Sequence, residues 1–198
     1  MAVSSFSLVS RAATINFGSQ VPSSGIYSDS TPWAVDGSFH FEVGVFSTGF
    51  TPTSLNVSQW MTNWNTANMG ETGATTWFDD GGDTSFTGSG GYATNSNPWA
   101  IGTKVYLWGF DLRTNGTNQW ILLQNSTNWV TVDSSTISPQ AFQTFDSGTS
   151  SVVGSVNGAG DAFLSAAVNV IPEPATWISL FFGGALLLCI SHLKRQNV

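Results

Sequence analysis

The stretch "KVYLWGFDL", residues 104 to 112, decides the fold class. Successive side chains of a β-strand point to opposite faces, so Val105 and Leu107 share one face while Tyr106, Trp108, Phe110 and Leu112 share the other. Both faces are apolar, which predicts a strand in the middle of a sheet with cover on each side. "GSFHFEVGVF", residues 37 to 46, alternates instead. Phe39, Phe41, Val43 and Val45 fall on one side and His40, Glu42 and Gly44 on the other, the pattern of a half-buried strand. "QWILLQNSTNWVTV", residues 119 to 132, has two apolar runs around Asn125-Ser-Thr-Asn128 and predicts a hairpin. Shorter strands are expected at 12 to 17, 76 to 78 and 162 to 170.

One segment keeps a different period. In "LNVSQWMTNWN", residues 55 to 65, Val57, Trp60, Met61 and Trp64 follow helical spacing behind polar residues able to cap. A short surface helix covering a sheet edge or face is expected there. Many short strands separated by Gly, Asn, Ser and Thr turns indicate an all-β chain, an antiparallel β-sandwich of jelly-roll-like form with that one helix. "GSVNGAG", residues 154 to 160, is turn-rich but too short for a repeat array.

Charge narrows the range of partners. Between Ala13 and Ile171 there are eleven acidic residues against Lys104 and Arg113, a net charge of −9. Nucleic acid and anionic lipid surfaces are disfavoured as partners of such a domain. The single cysteine, Cys189, lies far from the strand region, so neither a disulfide nor a zinc-cysteine cluster can form within one chain. Stability therefore rests on packing, and about 155 residues suffice for one core.

Candidate chemistry is sparse. His40 and Glu42, two residues apart on one strand face, would sit roughly 7 Å apart and offer two metal ligands without a third. No Gly-x-Ser-x-Gly, His-Glu-x-x-His or phosphate-loop pattern occurs. Carboxylates alone can serve a glycosidase when two are correctly placed, and Glu42, Glu71 and Asp80 are the residues to watch. Asp79, Asp80 and Asp83 in "FDDGGDTSF" match calcium in ligand type but not in ligand spacing, and the same residues form ordinary turns. No metal or other cofactor is expected. Three Asn-x-Ser/Thr triplets, at Asn56, Asn115 and Asn125, reflect the general richness in those residues.

Eight tryptophans, Trp33, Trp60, Trp64, Trp77, Trp99, Trp108, Trp120 and Trp129, lie in the same region. Trp108 and Trp120, inside apolar strands, are expected in the core. Trp33 beside Pro32 and Trp99 beside Pro98 fall in apparent loops and are the candidates for an exposed sugar-contacting surface.

The chain closes with "VNVIPEPATWISLFFGGALLLCISHLKRQNV", residues 168 to 198. Residues 175 to 193 hold no Asp, Glu, Lys or Arg and would extend about 28 Å as a helix, close to a hydrocarbon core of roughly 30 Å. Trp177 at one end and His192, Lys194 and Arg195 at the other suit the two interfaces, so a transmembrane helix is expected. The basic flank places the C-terminus inside and the strand region outside, which requires export. "MAVSSFSLVSRAATINFG" contains a short apolar patch and a Ser10-Arg11-Ala12 site suited to cleavage after Ala12, part of a signal peptide whose upstream portion is expected to be missing. Pro172-Glu173-Pro174, the apolar segment and the basic end together resemble the PEP-CTERM sorting signal, over residues 171 to 198 only. The cluster Lys194-Arg195 is shorter than the arginine runs common in that family. The resemblance implies export by a Gram-negative bacterium, anchoring in the inner membrane and processing by an exosortase-type enzyme, after which the protein reaches the cell surface or medium. Two prolines oppose helix formation and keep the tripeptide extended and accessible, as a processing enzyme requires.

Three regions result: a partial signal peptide at 1 to 12, a β-sandwich at 13 to 170 and a sorting signal at 171 to 198. The expected role is that of a non-catalytic surface or matrix protein in contact with extracellular polysaccharide. A secreted carbohydrate-active enzyme working through carboxylates is the alternative.

Overall fold

The computed structural model of the protein describes residues 12–67, 75–94, 96–111, 117–133 and 139–169. Its strands in chain order are β1 (Ala12–Gly18), β2 (Ser24–Ile26), β3 (His40–Phe46), β4 (Trp64–Thr66), β5 (Thr75–Thr76), β6 (Phe78–Asp80), β7 (Asp83–Ser85) and β8 (Thr87–Ala93). They continue as β9 (Tyr106–Phe110), β10 (Thr117–Asn125), β11 (Gln140–Gln143), β12 (Thr149–Val153), β13 (Ser155–Val156), β14 (Ala162–Leu164) and β15 (Ala166–Asn169). A 3₁₀ turn (Val57–Gln59) runs into α1 (Trp60–Asn63), the one α-helix of the described residues. The described chain is mostly β-sheet, an all-β fold.

β9 lies at the centre of the largest sheet, between β3 and β10 and antiparallel to both. Val105 and Leu107 point into one core with Phe39, Phe41, Val43 and Val45 of the β3 segment and Ile121 and Leu123 of β10. Tyr106, Trp108 and Phe110 point into a second core on the opposite face, with Trp120 and Leu122. Strand alternation alone produces this division. The outer edges of the sheet are each shared. β10 pairs through Thr117–Trp120 with β15 and through Leu122–Asn125 with β12, where the register shifts between Leu122 and Leu123. β3 pairs with β5 at His40 and Phe41 and with β4 from Gly44 to Phe46.

The first core is closed by a sheet of order β11-β1-β8. Ala13, Ile15 and Phe17 of β1 turn inward, with Tyr92 of β8 and Phe142 of β11 beside them. A third set, β13-β14-β2, adds Phe163 to the same core. Two apolar sheet faces packed on one another constitute a sandwich-like arrangement. It is not wholly antiparallel as expected, because β1 runs parallel to β11 and β2 parallel to β14. Sequence alternation specifies which face of a strand is buried but not the direction of its neighbour.

The second core is closed by the helical turn. Trp60 is fully buried, its ring 5.8 Å from those of both Trp108 and Trp120. The expected helix is therefore present and does cover a sheet face, but it has only four residues. Trp64 leaves it with extended geometry and opens β4. No side-chain cap is made at its start; instead Asn56 Oδ1 accepts a 2.9 Å hydrogen bond from Trp60 Nε1. The polar residue before the helix fixes the indole that fills the core.

Other expectations are revised by pairing. The Asn125 turn forms, with Asn125 Oδ1 accepting from the amides of Thr127 and Asn128. The run after it does not return along β10, however. Trp129 and Thr131 exchange backbone hydrogen bonds with Thr103 and Val105, just ahead of β9, so the segment is not half of the expected hairpin. The stretch from 162 to 169 is two strands: at Ser165, whose amide bonds the Ile26 carbonyl, the chain passes from the β2 sheet to the β10 edge. β1 begins at Ala12, the residue proposed for cleavage.

Close packing at β9 gives a direct test. A Cβ added to Gly109 would lie 2.7 Å from both Ile121 and Phe41 and 2.9 Å from Phe39. Those side chains lie in a dense core with little room to retreat. Gly109→Ala should lower stability by about 1 to 3 kcal/mol, read from urea denaturation. An unchanged midpoint would show that the ring positions around Gly109 are not fixed.

Candidate functional site

The tryptophans expected to form a sugar platform are core residues. Trp33 is 3 % exposed and lies between Phe39, at 4.0 Å and 12°, and Phe163, at 5.9 Å and 11°. Its Nε1 donates to Ser165 Oγ at 3.3 Å, and the absence of a Cβ at Gly25 lets the ring lie against the backbone there. Trp99 is 7 % exposed and stacks on Tyr92 at 4.8 Å. The neighbouring prolines suggested surface loops, but loops at the end of a sandwich can turn large rings inward to close the core. Of the other six, only Trp64 is less than fully enclosed.

Acidic side chains are occupied separately. Glu42 Oε2 accepts from Trp64 Nε1 at 2.9 Å and Thr66 Oγ1 at 2.7 Å, holding the edge strand β4 onto β3. His40 stacks on Phe110 with ring centroids 5.7 Å apart. Asp79, Asp80 and Asp83 form the end of the β6-β7 hairpin, where Gly81 and Gly82 take φ of +71° and +101° and Asp79 Oδ1 accepts from the Gly82 amide at 2.7 Å. This is the turn chemistry expected of Asp-Gly-Gly. Asp146 Oδ2 accepts from Trp129 Nε1 and from the Gln143 amide, both at 2.9 Å. Asp29 is held below the usual carboxylate range by the Thr31 hydroxyl and then the Thr31 amide, and Asp36 likewise by Ser38. Among the described residues no three His, Cys, Asp or Glu converge as a metal site. Glu71, Pro172, Glu173, Pro174, Lys194 and Arg195 lie outside the described residues. Asn125 is buried, and its amide donates to the Ser147 carbonyl.

Side chains do converge at an open cleft of about 340 Å³ at one end of the large sheet. Its aromatic wall is Phe46 from β3, Tyr106 from β9 and Phe50 from the loop that follows β3. Phe46 touches both others, at 5.2 Å from Phe50 and 5.3 Å from Tyr106. Ser47, Thr51 and Thr103 supply hydroxyls to the lining, and Lys104 supplies an exposed ammonium. The lining contains no carboxylate. Sequence reading missed this site because its members come from two stretches about fifty residues apart, 46 to 51 and 100 to 106. Lys104 carried the available signal, being one of two basic residues between Ala13 and Ile171.

Tyr106 differs from the other buried phenol, Tyr92. The Tyr92 hydroxyl bonds Gln140 Oε1 at 2.8 Å and the Val132 carbonyl at 3.3 Å. The Tyr106 side chain is 6 % exposed and lines the cleft, and its hydroxyl is not among the fully enclosed, unbonded polar atoms of the described residues. Burial pushes both phenols up. Among known proteins, no family model, curated relative or solved structure matches the chain.

Two measurements check this arrangement. Trp33→Ala and Trp99→Ala should each cost about 3 to 5 kcal/mol, seen as a lower Tm, because a buried ring is removed. Retention of the wild-type Tm would return the rings to the surface. On alkaline titration followed by phenolate absorbance, Tyr92 and Tyr106 should ionise above the ordinary phenol value of 10.0. The folded state holds these protons more tightly than the unfolded chain. Their contribution to stability is thus complete below about pH 10 and is lost as pH rises through the native values.

Proposed function

We propose that the protein is an exported, membrane-anchored surface or extracellular-matrix protein, processed by an exosortase-type enzyme and non-catalytic. The observation that carries this reading is the order Pro172-Glu173-Pro174, an apolar segment at 175 to 193 and Lys194-Arg195. In this proposal residues 175 to 193 are the transmembrane helix, since lipid demands a span with internal backbone hydrogen bonds and no charge. Among the described residues no helix is long and apolar enough to cross a membrane, and the segment in question lies outside them. In this proposal the all-β domain is a jelly-roll-like sandwich, and its strand β15 ends at Asn169, ahead of this segment.

Support comes also from how the domain is held together. Its cores are built from aromatic rings rather than disulfides, so folding after export needs no oxidative step. Its acidic composition favours solubility and weakens contact with anionic surfaces. Contact with extracellular polysaccharide is part of the proposal, although Trp33 and Trp99 are not its means.

Processing is tested by the mass of the mature C-terminus in cells with and without exosortase. The expected result is a chain shortened near Pro172 to Pro174 only where the enzyme is present. An intact C-terminus in both strains would reduce the motif to a plain membrane anchor.

A further inference from the structure

The geometry points to the Phe46-Phe50-Tyr106 cleft as a binding site for an acidic saccharide, a sugar ring bearing a carboxylate. Three features of the cleft select this ligand class. Phe50, half-buried in the loop after β3, offers the apolar face on which the C–H side of a pyranose ring can rest, with Phe46 buried behind it. Thr51 and Tyr106 add their hydroxyls to the same lining, and the hydroxyls of Ser47 and Thr103, which donate to the Asn63 and Pro98 carbonyls, keep lone pairs able to accept from a ligand. A phenol, whose ordinary value is 10.0 and which burial here pushes up further, is protonated near neutral pH and can donate to a ligand oxygen.

Charge decides between a neutral and an acidic sugar. The chain is strongly acidic, with a net charge of −7, yet this lining contains Lys104 and no Asp or Glu. Lys104 is fixed at the rim because its backbone bridges to Val130, directly before β9. An ammonium on a flexible stem reaches a carboxylate from several directions, which suits a shallow, open site. A neutral sugar would leave that charge unused, while a phosphate or acetate ion would leave the aromatic wall unused.

Residues on the reacting list of a hydrolase are not required, so the inference is one of binding only. It rests on the surface-protein reading solely for where such saccharides would be met. Binding is measured on purified protein, so a failure of exosortase processing leaves it untouched, and failed binding leaves the sorting proposal untouched.

The test uses the full chain in mild detergent, titrated with glucuronate and with glucose, which differ at C6, and observed through ligand NMR. Glucuronate should bind more tightly than glucose. Lys104→Gln should weaken glucuronate by about threefold to tenfold and leave glucose unchanged, the range expected for a charged contact at a partly exposed site. Tyr106→Phe keeps the ring and should weaken both sugars by a similar factor. Unchanged circular dichroism would confirm that both variants are folded. Equal binding of the two sugars, or indifference to Lys104→Gln, would overturn the charge assignment. Acetate competing as well as glucuronate would reduce the site to a small-anion site, and absence of binding by either sugar would sink the proposal.

Discussion

The middle strand of the large sheet must serve two cores at once. β9 has hydrogen-bonded neighbours on both edges and apolar neighbours on both faces, so none of its groups meets bulk water as a matter of course. A backbone that alternates strictly can satisfy this only with five consecutive residues that are all compatible with burial, and Tyr-Leu-Trp-Gly-Phe meets the condition. Gly109 is the narrowest point, because three large side chains converge where its Cβ would be. The rest of the structure arranges itself around the two faces that this strand defines.

Each face is closed by a different device. On one side a second sheet supplies Ala13, Ile15 and Phe17 at alternate positions, the ordinary solution for a sandwich. On the other, no second sheet is present among the described residues, and a single turn of helix inserts Trp60 against Trp108 and Trp120. A four-residue helix has little stability of its own. It is held by the ring it buries and by the Asn56 hydrogen bond to that ring. Glu42, the charged residue on this face of β3, is used similarly, receiving the Trp64 indole and the Thr66 hydroxyl and so tying the edge strand down. Polar side chains here orient aromatic ones, a means of fixing one packing arrangement where no disulfide does so.

The cleft lies where the second face runs out of cover. Phe46 and Tyr106 belong to the same aromatic layer as Trp60 and Trp108, and beyond the helical turn Trp64 of β4 and the loop carrying Phe50 pack on Phe46. The result is an aromatic floor that is continuous with the core and open on one side, with a lysine at its rim. Its rigidity comes from the core behind it, and its polarity from the loops in front. Binding sites on loops held by a rigid scaffold arise in this way.

By itself the sequence determined the class of the fold, the strands at β1, β3 and β9, the two-faced burial of β9 and the place of the helical turn. Each of these follows from local periodicity, which a contiguous run of side chains carries in full. Tertiary structure decided which strands meet and in what direction: the parallel pairing of β1 with β11, the union of Trp129 and Thr131 with the segment before β9, and the passage of the 162 to 169 stretch between sheets. It also decided that Trp33 and Trp99, beside prolines in loops, turn inward, and that Phe46, Phe50, Lys104 and Tyr106 share one cleft. Pairing and burial depend on residues tens of positions apart, and a period of two or of 3.6 residues contains no information about what stands on the far side of a core.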